Sequence, residues 1–287
     1  MIDGRRFWKM SGSGNDFVFI DSRLEDAAEF EDAKVIQRIC ARGIGVGADG
    51  LVILSAPASH DADVALKYYN ADGSLADLCG NATLCTASLS ARLGAVDLVG
   101  FSIETGAGVL RARIRSGQPE FDLPEINEAF PEFDSIERAA GEERLGFVTA
   151  GIPHVVIRVA DVDRVDLGGR GRVVRFDGAL RNGANANFVS RDGSGRWRMR
   201  TYERGVEAET LACGTGSVAT ALMLRLWGEA GDDIELETAS GRTLGIRTSR
   251  SGGGGRGDGD GDGASGSWHA SLRGEGRLVY EGVMGML

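Results

Sequence analysis

Histidine and proline are scarce in this chain of 287 residues, with three of the former and five of the latter, and cysteine occurs four times, at Cys40, Cys79, Cys85 and Cys213. No two cysteines form a C-x-x-C pair, and four thiols in so long a chain do not make a disulfide framework. No histidine lies at ligand spacing from a cysteine, so no metal site is expected. No apolar run approaches the roughly 20 residues that span a bilayer. The opening Met1-Ile-Asp-Gly-Arg-Arg-Phe-Trp has neither an apolar signal core nor a small-residue cleavage site. The expectation is a cytoplasmic protein in a reducing compartment, without a membrane partner. Basic residues are also in deficit: 32 Lys and Arg against 42 Asp and Glu give a formal charge of −10. That field repels phosphate backbones and argues against a nucleic-acid partner.

What the chain does have is glycine, 44 residues of it, punctuating short apolar runs. The length suits two domains of about 100–150 residues each. Apolar or alternating runs predict strands at 7–10, 17–21, 50–54, 64–69, 100–104, 108–115, 154–159, 186–190, 196–203, 234–238, 243–248 and 277–281. Helical patterns are fewer, near 31–42, 80–93 and 214–228. Residues 251–267 are a Gly-rich low-complexity stretch. Asp258, Asp260 and Asp262 fall there at calcium-loop spacing, but His269 replaces the glutamate such a loop ends on, so a solvated insertion is the better reading.

The informative feature is a self-match. Residues 79–94, Cys-Gly-Asn-Ala-Thr-Leu-Cys-Thr-Ala-Ser-Leu-Ser-Ala-Arg-Leu-Gly, align without a gap on residues 213–228, Cys-Gly-Thr-Gly-Ser-Val-Ala-Thr-Ala-Leu-Met-Leu-Arg-Leu-Trp-Gly. A strand ending in Tyr69-Asn70 precedes the first copy, and one ending in Tyr202-Glu203 precedes the second. Val218, Ala219, Ala221, Leu222, Met223, Leu224, Leu226 and Trp227 cover nearly every face of the second helix, as in a buried helix. One central helix per domain is therefore expected, wrapped by strands, with the halves related by a pseudo-two-fold axis. Cys79 and Cys213 then start buried helices, with Asn81 or Thr215 as candidate caps. Helix N-termini favour anions, which suits both a thiolate and a substrate carboxylate.

Two thiols suit inversion at an α-carbon. One thiolate takes the proton from one face while one thiol returns a proton to the other. The resulting carbanion needs preorganised N–H donors in a dry site. No lysine lies in the two Cys-Gly motifs, so a pyridoxal Schiff base is not indicated and no cofactor is expected. Cys40 and Cys85 lack the repeated frame and read as core residues.

Lys9-Met-Ser-Gly-Ser-Gly-Asn-Asp-Phe17, Gly47-Ala-Asp-Gly-Leu51, Tyr69-Asn-Ala-Asp-Gly-Ser74, Leu78-Cys-Gly-Asn81, Pro153-His154, Asn185-Ala-Asn-Phe188 and Tyr202-Glu-Arg-Gly205 through Thr210-Leu-Ala-Cys-Gly-Thr-Gly216 together resemble the diaminopimelate epimerase family, in that family's order and over nearly the whole chain. The resemblance implies Cys79 and Cys213 as the catalytic pair. It implies substrate binding by Asn15, Asn70, Gly80, Asn81, Asn185, Glu203, Arg204, Gly214 and Thr215, and tuning of the thiols by His154 and Glu203. It implies interconversion of LL- and meso-diaminopimelate on the route to lysine, and a homodimer. The implied fold is α/β (α+β): two pseudosymmetric domains, each a curled, mostly antiparallel sheet wrapped round a central helix. Their expected extents are 1–117 with a returning segment 276–287, and 118–275. The chain departs from the family pattern at Ile152, where Asn is usual, and at Ala82 and Leu84, where Gly and Arg are common. Ile152 keeps open a related racemase of another amino acid, and a non-catalytic thiol-redox or binding protein is the remaining alternative.

Overall fold

The computed structural model describes residues 2–251 and 266–286. Asp258, Asp260 and Asp262, and with them most of the expected insertion, lie outside the described residues. The chain separates into two compact units, residues 1–121 with 273–287, and residues 122–272. Among the described residues no helix is long and apolar enough to cross a membrane.

In the first unit, strands Arg6–Gly12 and Asn15–Asp21 form an antiparallel hairpin. Its turn residues Ser13 and Gly14 both have positive φ, the geometry that tight hairpin turns need. The chain then crosses over through helix α1 (Ala33–Cys40) to strand Gly50–Ser55, which lies parallel to Asn15–Asp21. Strand Val64–Asn70 returns antiparallel, pairs with Leu75–Ala76, and after helix α2 (Gly80–Arg92) gains a parallel partner in Phe101–Thr105. Strands Gly108–Arg115 and Gln118–Asp122 extend the meander, and Arg277–Val283 pairs antiparallel with Arg6–Gly12.

The second unit repeats this order step for step. Strands Glu142–Ala150 and Ile152–Val159 pair antiparallel, and helix α3 (Leu167–Arg175) leads to the parallel strand Asn185–Arg191. Trp197–Glu203 returns antiparallel and pairs with Ala208–Thr210. Helix α4 (Gly214–Leu226) then leads to the parallel strand Asp233–Glu237, followed antiparallel by Thr243–Arg250. Trp268–Arg273 and the short Ala129–Phe130 complete the unit.

The central strands of each unit, such as Asn15–Asp21, Gly50–Ser55 and Asn185–Arg191, are buried on both faces, which is why they read as continuous apolar runs. In the first unit Val18, Ile20, Leu51, Ile53 and Tyr69 join Ile36 and Ile39 of α1 in one core cluster. By strand alternation Phe17, Phe19, Val52, Leu54 and Tyr68 face the other way, toward α2. In the second unit Val155, Ile157, Ala186, Phe188 and Tyr202 pack with Leu167 and Val174 of α3, leaving His154, Val156, Asn187 and Thr201 on the α4 side. The helix termini match as well. α2 and α4 each have 13 residues and end on αR caps, Leu93 and Trp227, followed by Gly94 and Gly228 at positive φ, where a side chain would be strained.

All twelve strands and all three helices read from sequence are present, with ends moved by up to two residues. The strands at 75–76, 118–122, 129–130, 142–150, 208–210 and 268–273, and helix α3, were not read from it. One expectation needs correction. The N-cap residues of the central helices are Cys79 and Cys213 themselves, in extended conformation (φ −133°, ψ 116° and φ −125°, ψ 109°), and neither helix has a side-chain cap. Asn81 and Thr215 fall one residue inside Gly80 and Gly214, too late to cap.

Gly216 sits where α4 meets its sheet. A Cβ there would lie 2.4 Å from Asn187 Oδ1 and 3.1 Å from Cys213 Sγ. Alanine ordinarily stabilises a helix interior over glycine by about 1 kcal/mol, but overpacking a filled layer costs about 1–3 kcal/mol. Gly216→Ala is thus expected to lower the urea midpoint of unfolding, and an increase would show that the layer yields freely.

Candidate functional site

Each unit presents its own constellation around the start of its central helix. In the first, the Cys79 carbonyl accepts from both the Thr83 amide and the Thr83 hydroxyl, each at 2.9 Å. The second copy is identical in kind: the Cys213 carbonyl accepts from the Ser217 amide and hydroxyl, each at 2.9 Å. These bonds fix where both cysteine side chains leave the backbone. Cys79 is half-buried and Cys213 is buried.

Asn15 and Asn81 meet next to Cys79. The Asn81 amide donates to Asn15 Oδ1 at 2.7 Å, and Asn15 Nδ2 donates to Asp49 Oδ2 at 3.1 Å. A carboxylate only accepts, so Asp49 fixes the direction of both amides, and Asn81 Oδ1 is left buried and unbonded among the described residues. Asp49 in turn takes Arg42 Nη2 at 2.8 Å, and Arg42 also binds Asp16, which pairs with the buried Lys9 ammonium at 2.8 Å. Lys9 also donates to the Gly47 carbonyl. Asn70 stands apart from this chain of bonds, donating to the Ser74 hydroxyl at 3.0 Å. Lys9, Asp16, Arg42 and Asp49 were not picked out from sequence, although three of them fall within the quoted motifs.

In the second unit Asn185 Nδ2 lies 3.7 Å and Thr215 Oγ1 3.6 Å from Cys213 Sγ. The Arg204 backbone N–H donates to Asn185 Oδ1 at 2.7 Å, which turns the amide nitrogen toward the sulfur. Glu203 Oε2 accepts from the Thr210 hydroxyl at 2.7 Å. Burial raises the Glu203 pKa above the usual carboxylate range, against the Thr210 bond. The Arg204 guanidinium reaches the Asn182 carbonyl only at 3.5 Å. His154 is fully buried beneath α4, its Nδ1 3.2 Å from the Asn187 amide nitrogen. Burial, with a smaller contribution from Arg204, drops its pKa to about 3. Among the predicted residues, then, Asn15, Gly80 and Asn81 gather at Cys79, and Asn185, Gly214 and Thr215 at Cys213.

The other two thiols are core groups. Burial pushes Cys40 up to about 11 and raises Cys85 well above the ordinary thiol value, so neither supplies thiolate near neutrality.

A family model described as diaminopimelate epimerase matches residues 7–123 and 146–252. The chain is 45% identical over 278 residues to the diaminopimelate epimerase of Gemmatimonas aurantiaca, covering 96% of this chain and 98% of that protein. It is 38% identical over 251 residues to that of Aquifex aeolicus, covering 84% and 88%. Among solved structures, a PhzF-family phenazine biosynthesis protein from Bacillus anthracis matches with TM-score 0.71 at 14% identity, covering 98% of both chains. A probable proline racemase from Agrobacterium radiobacter matches with TM-score 0.64 at 17% identity, covering 98% of this chain and 91% of that one. At such identities the likeness is one of fold alone.

The ion cluster behind Asn15 gives a pH signature. Burial would lift the Asp16 carboxyl, but Arg42 and Lys9 outweigh it and hold the pKa at about 2, against 3.8 unperturbed. A depressed folded-state pKa stabilises above the unfolded value, and that contribution disappears as pH falls through the folded one. After screening at this half-exposed site it amounts to about 1 kcal/mol. Asp16→Asn should therefore unfold at lower urea than wild type at pH 7, with the gap closing between about pH 4 and pH 2. A gap independent of pH would remove the electrostatic account.

Proposed function

The chain belongs to the diaminopimelate epimerase family, whose members are amino-acid isomerases, and from that premise we propose that Cys79 and Cys213 share the proton transfer at the α-carbon of LL-diaminopimelate. One cysteine, as thiolate, abstracts the α-proton. The other, as thiol, delivers its proton to the opposite face, giving the meso form, and the roles exchange in the reverse direction. No external electron sink enters this scheme; the chain's own N–H groups carry the negative charge that builds on the carboxylate.

The observation that supports this reading most strongly is the duplication itself. Each unit independently places a cysteine at the N-cap of its central helix, with the same backbone conformation and the same hydroxyl bond onto its carbonyl. The backbone N–H groups of Gly80, Asn81, Gly214 and Thr215 belong to first helical turns and suit a carboxylate. Asn185 and Thr215 bring polar hydrogens to the Cys213 sulfur, where they serve a thiolate. Asn15, Asn70 and Asn185 supply amides for the polar ends of the substrate, Glu203 accepts from an ammonium, and Arg204 clamps a carboxylate. His154 and Glu203 adjust the two thiols. The pathway role is lysine biosynthesis in the cytoplasm. A homodimer fits the strand Arg277–Val283, which leaves Val279, Tyr280 and Val283 exposed.

The test is α-proton exchange. Purified protein without added cofactor, given LL-diaminopimelate in D₂O, should place deuterium on the α-carbon as meso product forms. Cys79→Ser and Cys213→Ser should fold normally and lose about 10²–10⁴-fold in turnover. Exchange absent from the wild type, or full activity in both variants, defeats the two-thiol scheme. Faster turnover of a substrate lacking the second amino-acid end would move the chain to another racemase activity.

A further inference from the structure

Beneath α4 lies a buried polar layer that the proton-transfer scheme uses at only one point, His154. The layer consists of His154, Asn187 and Thr201, on three adjacent strands, with the buried apolar Val156, Val189 and Met199 two residues along on the same face. Asn187 is fully buried and makes three side-chain hydrogen bonds inside the unit. Its amide nitrogen lies 3.1 Å from the Val155 carbonyl and 3.2 Å from His154 Nδ1, and its oxygen accepts from the Thr201 hydroxyl at 3.0 Å.

The polarity of this set follows from one group. A backbone carbonyl only accepts, so the nitrogen end of the Asn187 amide faces Val155, and its second N–H falls to His154 Nδ1. Nδ1 is then an acceptor, and in a neutral ring the proton sits on Nε2. Nε2 is buried and unbonded among the described residues, an unspent donor. The half-repeat gives a control for the role of these side chains. The strand register places Phe17, Val52 and Tyr68 of the first unit where His154, Asn187 and Thr201 stand in the second. The scaffold is thus built equally well with an apolar layer, and packing alone does not call for an amide at 187.

We infer that Asn187 is a positioning residue: it holds His154 in the neutral Nε2–H tautomer, so that the imidazole offers the reacting groups a fixed hydrogen-bond donor in place of an exchangeable base. The consequence for the reaction rests on the two-thiol reading above, whereas the tautomer itself does not. A donor of fixed direction steadies a thiolate or a developing carboxylate-derived anion without taking the α-proton for itself.

The experiment is ¹⁵N–¹H long-range correlation spectroscopy on the full chain, with histidine labelled. The chain has three histidines, and His154→Gln assigns the buried one. The expected wild-type spectrum shows a protonated Nε2 and an unprotonated, acceptor-type Nδ1 for His154 at neutral pH. A protonated Nδ1, or nitrogens averaged between the two tautomers, overturns the proposal. Asn187→Asp replaces the donor with a carboxylate, which should draw the proton onto Nδ1. Should that variant fold poorly beside the Val155 carbonyl, Asn187→Ala removes the donor by truncation and should yield averaged nitrogens. A wild-type tautomer retained in either folded variant overturns the role of Asn187.

Kinetics then separate positioning from packing. Each variant should lose at least about tenfold in kcat for LL-diaminopimelate, with KM changed by less than about threefold. An unchanged kcat with an altered tautomer overturns the link to catalysis. If the wild type proves inactive on every amino acid tried, the enzymatic reading fails while the spectra still decide the tautomer.

Discussion

A helix enclosed by its own sheet cannot rely on bulk water to satisfy the N–H groups of its first turn, and this constraint governs both halves of the molecule. An α-helix leaves about four such donors without an internal partner. A Ser, Thr, Asp or Asn at the N-cap ordinarily takes one or two of them and stabilises the helix by about 1 kcal/mol. α2 and α4 forgo that stabilisation at the same point of the repeat, where a cysteine occupies the N-cap and no side chain caps the turn. The available hydroxyls, on Thr83 and Ser217, turn the other way and hold the cysteine carbonyls. A capping side chain would compete with an anionic ligand for the same donors. Leaving it out costs local stability and keeps the donors for the substrate carboxylate that the proposed reaction requires.

The second principle is that each amide near the thiols is oriented by a neighbour able to play only one part. Asp49, which only accepts, turns Asn15 and through it Asn81. The Arg204 N–H, which only donates, turns Asn185 toward Cys213. The Val155 carbonyl, which only accepts, turns Asn187. An asparagine presents a donor or an acceptor according to a half-turn of its amide. Anchors of this kind remove the choice before a ligand arrives, and a site whose dipoles need not reorganise stabilises charge more effectively than solvent does. The Lys9–Asp16–Arg42 cluster extends the same logic outward by securing Asp49.

The repeat was legible in sequence because both copies keep the Cys-Gly start, the apolar helix and the terminal glycine, features demanded by backbone geometry and burial. The strands with β-branched or alternating patterns were legible for the same reason. Helix α3 was not. Gly168, Gly169 and Gly171 lower its intrinsic propensity, and it forms because Asp166 caps it and Gly171 packs so closely on Tyr202 that a Cβ would come within 2.5 Å of that side chain. Glu142–Ala150 opens on three charged residues that mask its strand pattern. In sequence Asn187 looks like one more polar residue in Asn-Ala-Asn-Phe. Only the burial of Ala186 and Phe188 on the α3 side shows that 187 points inward as well. Placing a cap on Asn81 or Thr215 failed because cysteine is not an expected N-cap, and the sequence offers no sign that the better capping residue lies beyond it.

The two halves have since diverged in a way that separates chemistry from recognition. The strand register makes Ile152 of the second unit the counterpart of Asn15 in the first, the position at which the sequence was read as departing from the family pattern. In the first unit that position carries the amide relay from Asp49 to Asn81. In the second, isoleucine has no polar group with which to serve Thr215 in the same way. Yet two groups beside Cys213 Sγ, Asn185 and Thr215, are held from elsewhere: Asn185 by the Arg204 backbone, and Thr215 by its place in the first turn of α4. Under the proposed reaction, isoleucine at 152 changes the edge of the second constellation while leaving Asn185 and Thr215 beside the thiol as they are. A change confined to that edge adjusts affinity for one end of a substrate far more readily than it abolishes proton transfer.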